Sequence, residues 1–313
     1  MSGVLRRLAV SGAGILGSTF FVFALLRVLP GDLATAKLGT DATPEALQRL
    51  RSEYGLDKPL FTQYVQWLGN AMRGDFGSSL MSGSDVGSDI VSRLDVTLPL
   101  IVASSLLAVM AALWLGQRSA LQRSNWKSVV LTLASQIGLA IPIVVLGIVA
   151  VVIFAVWLRI LPAGGFPVDG WRATGSAIRS LVLPVAVLSL SQAAMLTRFA
   201  RSEALDFIAS DTYRTARATG MTKPQSISTA RRLLLVPVLG VLALQISTLI
   251  VGAVVVENVF ALPGLGAMLV RDIAARDYLK VQGSLLVVTT IVFTVQFATG
   301  VLQERLDPRR RTT

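Results

Sequence analysis

Cysteine and histidine are both absent from this chain of 313 residues. Their absence excludes disulfide bonds and metal sites built from thiolates or imidazoles, and it removes one member from the usual nucleophile–base pairs. No lysine directly follows a glycine, so the chain has no phosphate-binding loop of the form G-x-x-x-x-G-K-S/T. If ATP drives this protein, a second chain must bind the nucleotide.

Charged residues are scarce, at 15% of the chain, whereas a soluble domain carries nearer a quarter. Hydrophobic residues make up 53%, and the mean hydropathy is +0.66. The net charge of +11 comes from basic residues placed in short segments between long apolar runs. That distribution is typical of the cytoplasmic loops of membrane proteins, and it argues against a nucleic-acid-binding face.

Six apolar runs are long enough to cross a bilayer, which takes about 20 residues. Arg27 lies close enough to the end of the first run to reach the interface. The third run exceeds one crossing, and we expect Pro142 to kink a helix that passes through it. We therefore predict an all-α integral membrane protein with six transmembrane helices, at Leu8–Leu29, Val96–Gln117, Ser128–Leu158, Ser180–Thr197, Leu233–Val256 and Val281–Gln303.

The first run has an alternative interpretation as a secretory signal peptide. Arg6 and Arg7 precede it, and Ala34-Thr35-Ala36 resembles a cleavage site. The run is too long for the apolar region of a signal peptide, and both Arg27 and Asp32 separate it from the site. A retained first span is therefore the favoured interpretation.

Basic residues indicate how the spans are oriented. They cluster before the first span, between the second and third, between the fourth and fifth, and at the end of the chain. We predict that these segments are cytoplasmic and that both termini lie on the cytoplasmic side of the membrane. The predicted organisation is a first helix in residues 1–29, an extracytoplasmic segment at 30–95, a five-helix core at 96–303 with a cytoplasmic loop at 201–232, and a basic tail at 304–313.

The extracytoplasmic segment carries its own helix signals. Thr43 is predicted to cap a helix that starts at Pro44 and ends at Gly55, and a second helix is predicted over residues 59–73. The residues Gly74-Asp75-Phe76-Gly77-Ser78 indicate a turn. These helices could pack on the outer ends of the spans, dock a partner or cover a pore, and the sequence leaves these roles open.

The cytoplasmic loop is predicted to form helix, break and helix. One helical face would carry Leu205, Ile208, Ala209, Thr212 and Ala216. Gly220 is expected to be a left-handed cap, and Thr222 with Gln225 has the spacing of a capping box. Small residues before Gly220 would make a knob that seats in a cleft on a soluble partner, although arginines could instead hold this helix to anionic lipid.

Weakly polar side chains within apolar spans are candidates for lining a substrate pathway. Because unpaired polar groups are costly in hydrocarbon, we expect them to face the bundle, with interhelical hydrogen bonding as the simpler explanation of each. The later spans hold no charge, which argues against a proton relay. The candidates are Gln136, Gln192, Gln245 and Ser247.

At the cytoplasmic loop the sequence resembles a known family. Residues 213–221, Y-R-T-A-R-A-T-G-M, resemble the E-A-A-x-x-x-G loop of ABC importer permeases in its peptide-importer form, with Thr219 in place of the usual lysine. Further matches cover nearly the whole chain: L-P-G-D at 29–32, G-L-D-K-P-L at 55–60, G-D-F-G-S-S at 74–79, E-N-V-F-A-L-P-G-L-G at 257–266, R-D-Y with V-Q-G at 276–283, and L-D-P-R at 306–309.

The resemblance implies a type I ABC importer permease fold, a location in a bacterial inner membrane and a set of partners. It implies a homologous second permease, two ATPase subunits that hold ATP and Mg, and an extracytoplasmic binding protein that delivers a dipeptide or oligopeptide. Glutathione, haem and nickel importers have the same architecture and remain alternatives. This chain itself would have no catalytic residue and no cofactor, and its ATPase-coupling residues would be Tyr213, Arg214, Thr215, Ala216, Arg217 and Gly220. A secondary transporter or channel is the competing class.

Overall fold

The computed structural model describes residues 2–28, 43–53, 55–79, 81–121, 141–229 and 231–306. The chain divides into two compact units, which are described separately. Unit 1 comprises Met1–Thr97 and Pro263–Thr294, and unit 2 comprises Leu98–Leu262 and Val295–Thr313. Across the described ranges the ordered structure is helical, apart from an isolated antiparallel bridge between Ser78 and Asp85.

The helices follow the order of the apolar runs. A π-helical segment at Val151–Trp157 continues the helix Ile143–Ala150, and a 3-10 turn at Gly170–Ala173 precedes the helix Thr174–Ala209. In chain order the helices are α1 (Ser2–Val28), α2 (Pro44–Glu53), α3 (Leu60–Ala71), α4 (Val86–Leu121), α5 (Ile143–Ala150), α6 (Thr174–Ala209), α7 (Asp211–Ala218), α8 (Lys223–Thr229), α9 (Arg231–Val259), α10 (Leu265–Ala274) and α11 (Tyr278–Leu306).

Five of the described helices are long and apolar enough to cross a membrane: α1, α4, α6, α9 and α11. They match the first, second, fourth, fifth and sixth predicted spans. The third predicted span is described only from residue 141, where the apolar helix runs over Ile143–Trp157. Here the expectation of a kink is wrong, because α5 begins directly after Pro142. Proline is tolerated at a helix start, where its missing N–H would have no helical partner.

The core of unit 1 joins the start of α4 to α10. Val86 and Ile90 of α4 are buried together with Leu265 and Met268 of α10. Leu265 N–H also donates to Thr97 Oγ1 at 2.8 Å, which fixes the start of α10 against α4. Helix α10, with 10 residues, is too short to span a bilayer, and it is instead packed into this core.

The core of unit 2 is built from small side chains on α4, α6 and α9. Ala108 and Ala112 pack with Ala200 and Val238, all at 1% exposure or less. At Gly116 a Cβ atom would lie only 2.7 Å from Ala200 Cβ. Helices α4 and α6 therefore approach each other as closely as glycine allows. Small residues commonly permit such close contacts between helices in membranes.

The described parts of the predicted outer segment form the expected helices. Thr43 Oγ1 accepts from Ala46 N–H at 3.3 Å at the start of α2, and Gly55 has a φ of +62° just beyond its end. In the turn after α3, Gly77 N–H donates to Asp75 Oδ1 at 2.9 Å. These local predictions are confirmed, while residues 29–42 and Tyr54 lie outside the described residues.

Candidate functional site

The segment between the fourth and fifth predicted spans breaks where the sequence predicted one helix. Helix α6 runs without interruption from its apolar part to Ala209, and α7 starts at Asp211. Between them, Ser210 Oγ accepts from Tyr213 N–H at 3.3 Å and donates to the Phe207 carbonyl at 2.6 Å. The single helical face predicted from Leu205 to Ala216 is therefore wrong, because the serine caps a new helix instead of continuing the old one.

The end of α7 has the predicted left-handed cap. Gly220 has a φ of +89°, and its N–H donates to the Arg217 carbonyl at 3.2 Å. Met221 N–H donates to the Ala216 carbonyl at 3.2 Å, which completes the hydrogen-bond pair of a Schellman motif. Arg217 also donates from its guanidinium to the Met221 carbonyl. The turn after α7 is thus fixed by backbone and side-chain bonds together.

Helix α8 begins with the predicted capping box. Thr222 N–H donates to Gln225 Oε1 at 2.8 Å, and Gln225 N–H donates back to Thr222 Oγ1 at 3.5 Å. The next two residues, Ser226 and Ile227, are buried. Helices α7 and α8 therefore form a short helical hairpin. Hydrogen bonds between residues close in sequence fix both its turn and the start of its second helix.

A buried cluster anchors this hairpin to the long helices. Ala120 of α4, Ala204 of α6, Ile227 of α8 and Leu234 of α9 are buried together, and Tyr213 packs against them. The Tyr213 ring also meets Phe207 edge to face, with 5.9 Å between the ring centroids. Through Tyr213, helix α7 therefore touches a cluster to which α4, α6 and α9 all contribute.

The six residues expected to couple to an ATPase lie on different faces of the hairpin. Tyr213 and Ala216 are half-buried on the inward face of α7, while Arg214, Thr215, Arg217 and Gly220 are exposed. Arg214 pairs with Asp211 at 3.1 Å, but both side chains are in solvent, so the pair contributes little to stability. Ala218, which was not singled out among the six, is exposed and lies one turn from Arg214 and Thr215.

Two of the proposed pathway residues are buried within unit 2. Gln192 of α6 and Gln245 of α9 are each 7% exposed, and both lie within one turn of the small-residue core. Gln245 Oε1 has no hydrogen-bond partner among the described residues. Ser247 is exposed, and Gln136 lies outside the described residues. The amide of Gln245 is thus the pathway candidate with a free buried acceptor.

Further buried polar atoms lack partners among the described residues and were not predicted. In unit 2 this holds for Thr197 Oγ1 on α6, and in unit 1 for Gln282 Nε2 and Ser284 Oγ on α11. Each could bond to a polar group that enters from outside the chain. Gln282 lies in the motif V-Q-G, but sequence alone could not show that its amide nitrogen has no hydrogen-bond partner among the described residues.

Two motifs far apart in sequence form one polar contact in unit 1. Ser79, at the end of G-D-F-G-S-S, donates from Oγ to Asp277 Oδ2 at 2.5 Å, and both residues are buried. One turn later Lys280 Nζ lies 2.6 Å from Asp89 Oδ2. Outside the spans, burial raises the pKa of the nearby Asp272 carboxyl, whose Oδ2 has no partner within the described ranges.

The E-N-V-F-A-L part of another motif is held to a loop within unit 2. Phe260 is buried, and its carbonyl accepts from Gly165 N–H at 2.8 Å. A Cβ at Gly164 would lie 2.3 Å from the same carbonyl oxygen, so only glycine fits there. The loop after α5 is therefore fastened to the end of α9 by a backbone contact.

These features define a class of protein before any comparison. Long apolar helices with buried amides, together with an exposed helical hairpin, describe a multi-span membrane protein. Among the described residues no three acidic side chains come close enough to hold a metal ion.

Comparison with known proteins gives the family. Residues 104–312 match the family of binding-protein-dependent transport system inner membrane components, and residues 2–101 match the N-terminal family of the same membrane components. The chain belongs to this family of membrane transport components.

Several relatives are similar over their whole length. A protein of Brucella abortus (strain 2308), named for a peptide transport system permease, is 36% identical over 315 residues and covers 98% of each chain. The di/tripeptide transport system permease protein of Pseudomonas aeruginosa (strain UCBPP-PA14) is 33% identical over 336 residues and covers 99% of each. The oligopeptide transport system permease protein of Bacillus subtilis (strain 168) is 33% identical over 309 residues, with 98% of each covered.

Proposed function

We propose that this chain is a permease subunit of an ATP-driven importer that brings dipeptides or oligopeptides into the bacterial cytoplasm by alternating access. The observation that carries the proposal is the hairpin of α7 and α8, which is exposed on one side and anchored on the other in a cluster shared by α4, α6 and α9. The names of the full-length relatives support the peptide substrate.

The hairpin is suited to transmit movement because its conformation is fixed. Its exposed surface, built around Arg214, Thr215 and Ala218, would seat in a cleft on an ATPase subunit. Closing of two ATPase subunits around ATP and Mg would displace α7 as a rigid body, and the shared cluster would pass the displacement to the spans. This chain would hydrolyse no ATP itself.

The pathway would be formed together with a homologous second permease. The buried amides of Gln192 and Gln245 would offer weak hydrogen bonds, which a peptide can exchange while it moves. A binding protein on the outer side would deliver the substrate, and residues 30–95 would take part in docking it or in gating. Importers of glutathione, haem or nickel remain the alternative within the same architecture.

Uptake by the reconstituted complex tests the function. The full-length chain, purified with the subunits and the binding protein that accompany it, is placed in proteoliposomes with ATP on the side of the ATPase subunits. We expect ATP-dependent accumulation of a labelled di- or oligopeptide. Accumulation of nickel, haem or glutathione without peptide uptake would show that the substrate is one of these and not a peptide. Peptide uptake that needs no ATP would contradict the ATP-driven mechanism.

The predicted orientation has its own test. Because the chain has no cysteine, single cysteines at Met81 and Asn125 can be labelled without background from this chain. An impermeant maleimide should label residue 81 in cells with a permeabilised outer membrane, and residue 125 only after the inner membrane is opened. The reverse pattern would contradict the orientation with both termini inside.

A further inference from the structure

Helix α3 is amphipathic, and only part of its apolar face is used within unit 1. Tyr64 and Ala71 are buried at the centre of that face. On one flank, Phe61 is 67% exposed, Val65 49% and Met72 82%. The side of the helix away from this flank carries the exposed polar residues Gln66 and Asn70.

The contacts of α3 place it beside the interior of the first span and not beyond its end. Tyr64 Oη lies 2.9 Å from Thr19 Oγ1 and donates to the Leu16 carbonyl at 3.0 Å. The Tyr64 ring packs against Phe20 and Phe23 at centroid distances of 5.2 and 5.6 Å. Every one of these α1 residues precedes the end of the helix at Val28 by at least a full turn.

The depth of these contacts follows from the helix rise. The uncharged stretch of α1 from Leu8 to Leu26 is about 28 Å long, which matches a hydrocarbon thickness of about 30 Å. Arg27 closes this stretch, and its Nε donates to Gln63 Oε1 at 3.1 Å. Phe20 and Phe23 lie about 10 Å and 6 Å below Arg27 along the axis. Residues of α3 that touch them are therefore below the interface.

The polar side of α3 borders an open cavity of about 310 Å³. Gln63, Gln66 and Asn70 line this cavity together with Arg27 and Asp75. An apolar flank at hydrocarbon depth and a polar side on a cavity lined by charged groups are what an interfacial helix presents. Trp67, with its ring 5.8 Å from Phe23, lies between the two sides, as tryptophan commonly does at the membrane boundary.

We propose that α3 is an interfacial membrane helix whose flank of Phe61, Val65 and Met72 is covered by acyl chains of the leaflet at the Val28 end of α1. Lipid is the occupant because α3 packs on α1 through Phe20 and Phe23, and α1 is an apolar spanning helix that itself exposes Phe21, Leu25 and Val28. The outer segment would then be anchored in the bilayer next to α1, and not only above it.

Collision accessibility of spin labels tests the proposal. Single cysteines replace Val65 on the flank and Asn70 on the polar side, in the full-length chain reconstituted in lipid nanodiscs with its co-purifying subunits. The unsubstituted complex supplies the background. We expect the label at residue 65 to collide more with oxygen than with a water-soluble nickel chelate, and the label at residue 70 to show the opposite order.

Two outcomes would overturn the proposal. A label at residue 65 that is as accessible to the nickel chelate as the one at residue 70 would show that the flank lies in water. A label at residue 65 that neither reagent reaches would show that a protein subunit covers it. Transport by Val65→Lys and Asn70→Lys gives a matched second measurement, in which only Val65→Lys should lower uptake.

Discussion

Replacing Gly220 isolates the contribution of one backbone conformation to coupling. Its φ of +89° favours glycine, and a Cβ at this position would meet no heavy atom within 4 Å. The added Cβ therefore meets no neighbour, and we expect the effect of Gly220→Val to come from backbone strain. For most residues the left-handed region costs about 1–2 kcal/mol. A cost of that size shifts the balance between the intact and opened turn by roughly 5- to 30-fold.

The opened turn would lose the bonds from Gly220 and Met221 to the last carbonyls of α7. We expect Gly220→Val to leave the chain in the membrane, with ATPase subunits released or hydrolysing without substrate control. Gly220→Asn is the matched control, because asparagine tolerates left-handed conformations better than other residues. Peptide uptake and ATPase co-purification are measured from the same reconstituted membranes.

The ranking of the three proteins tests the reasoning. Uptake should fall in the order glycine, asparagine, valine, with equal amounts of permease present. Normal uptake and bound ATPase subunits in Gly220→Val would refute the idea that this turn must be rigid. An asparagine variant as impaired as the valine variant would show that strain is not the cause.

Three further predictions concern packing and charge. Gly116→Ala places a Cβ 2.7 Å from Ala200 Cβ and should lower the unfolding free energy by about 1–3 kcal/mol, whereas Gly12→Ala, with open space around it, should not; thermal unfolding of the two variants compares them. Ser79→Ala removes a hydrogen bond to the buried Asp277 and should lower the free energy of unfolding by about 1–3 kcal/mol, while Ser88→Ala, at an exposed site, is the control. Equal melting temperatures of the two variants would contradict the role of the bond to Asp277. Asp272→Asn should raise the free energy of unfolding at neutral pH, because burial raises the pKa of this carboxyl and its ionised form therefore disfavours folding. This gain in stability should vanish as the pH falls below the ordinary carboxyl range, and a gain that does not depend on pH would argue against ionisation as the cause.

The sequence by itself determined the features that depend on neighbouring residues. Five apolar runs became spanning helices because length and hydropathy alone decide whether a helix suits a bilayer. The cap at Thr43, the left-handed Gly220 and the capping box at Thr222 were all predictable, since each uses bonds between residues at most five positions apart. The turn of the hairpin was predictable for the same reason.

Only the tertiary structure decided which of these elements meet and which faces they use. The contact between Ser79 and Asp277 joins residues that nothing local connects. Periodicity put Phe61, Tyr64 and Val65 on one face, but packing against α1 buries Tyr64 and leaves its neighbours exposed. Likewise, local sequence allows the chain at Ser210 either to continue α6 or to cap a new helix. In the folded protein Ser210 caps α7, and Tyr213 of α7 packs against the cluster shared by the long helices. Local bonds specify helices and turns, whereas burial is a property of the surfaces that those helices bring together.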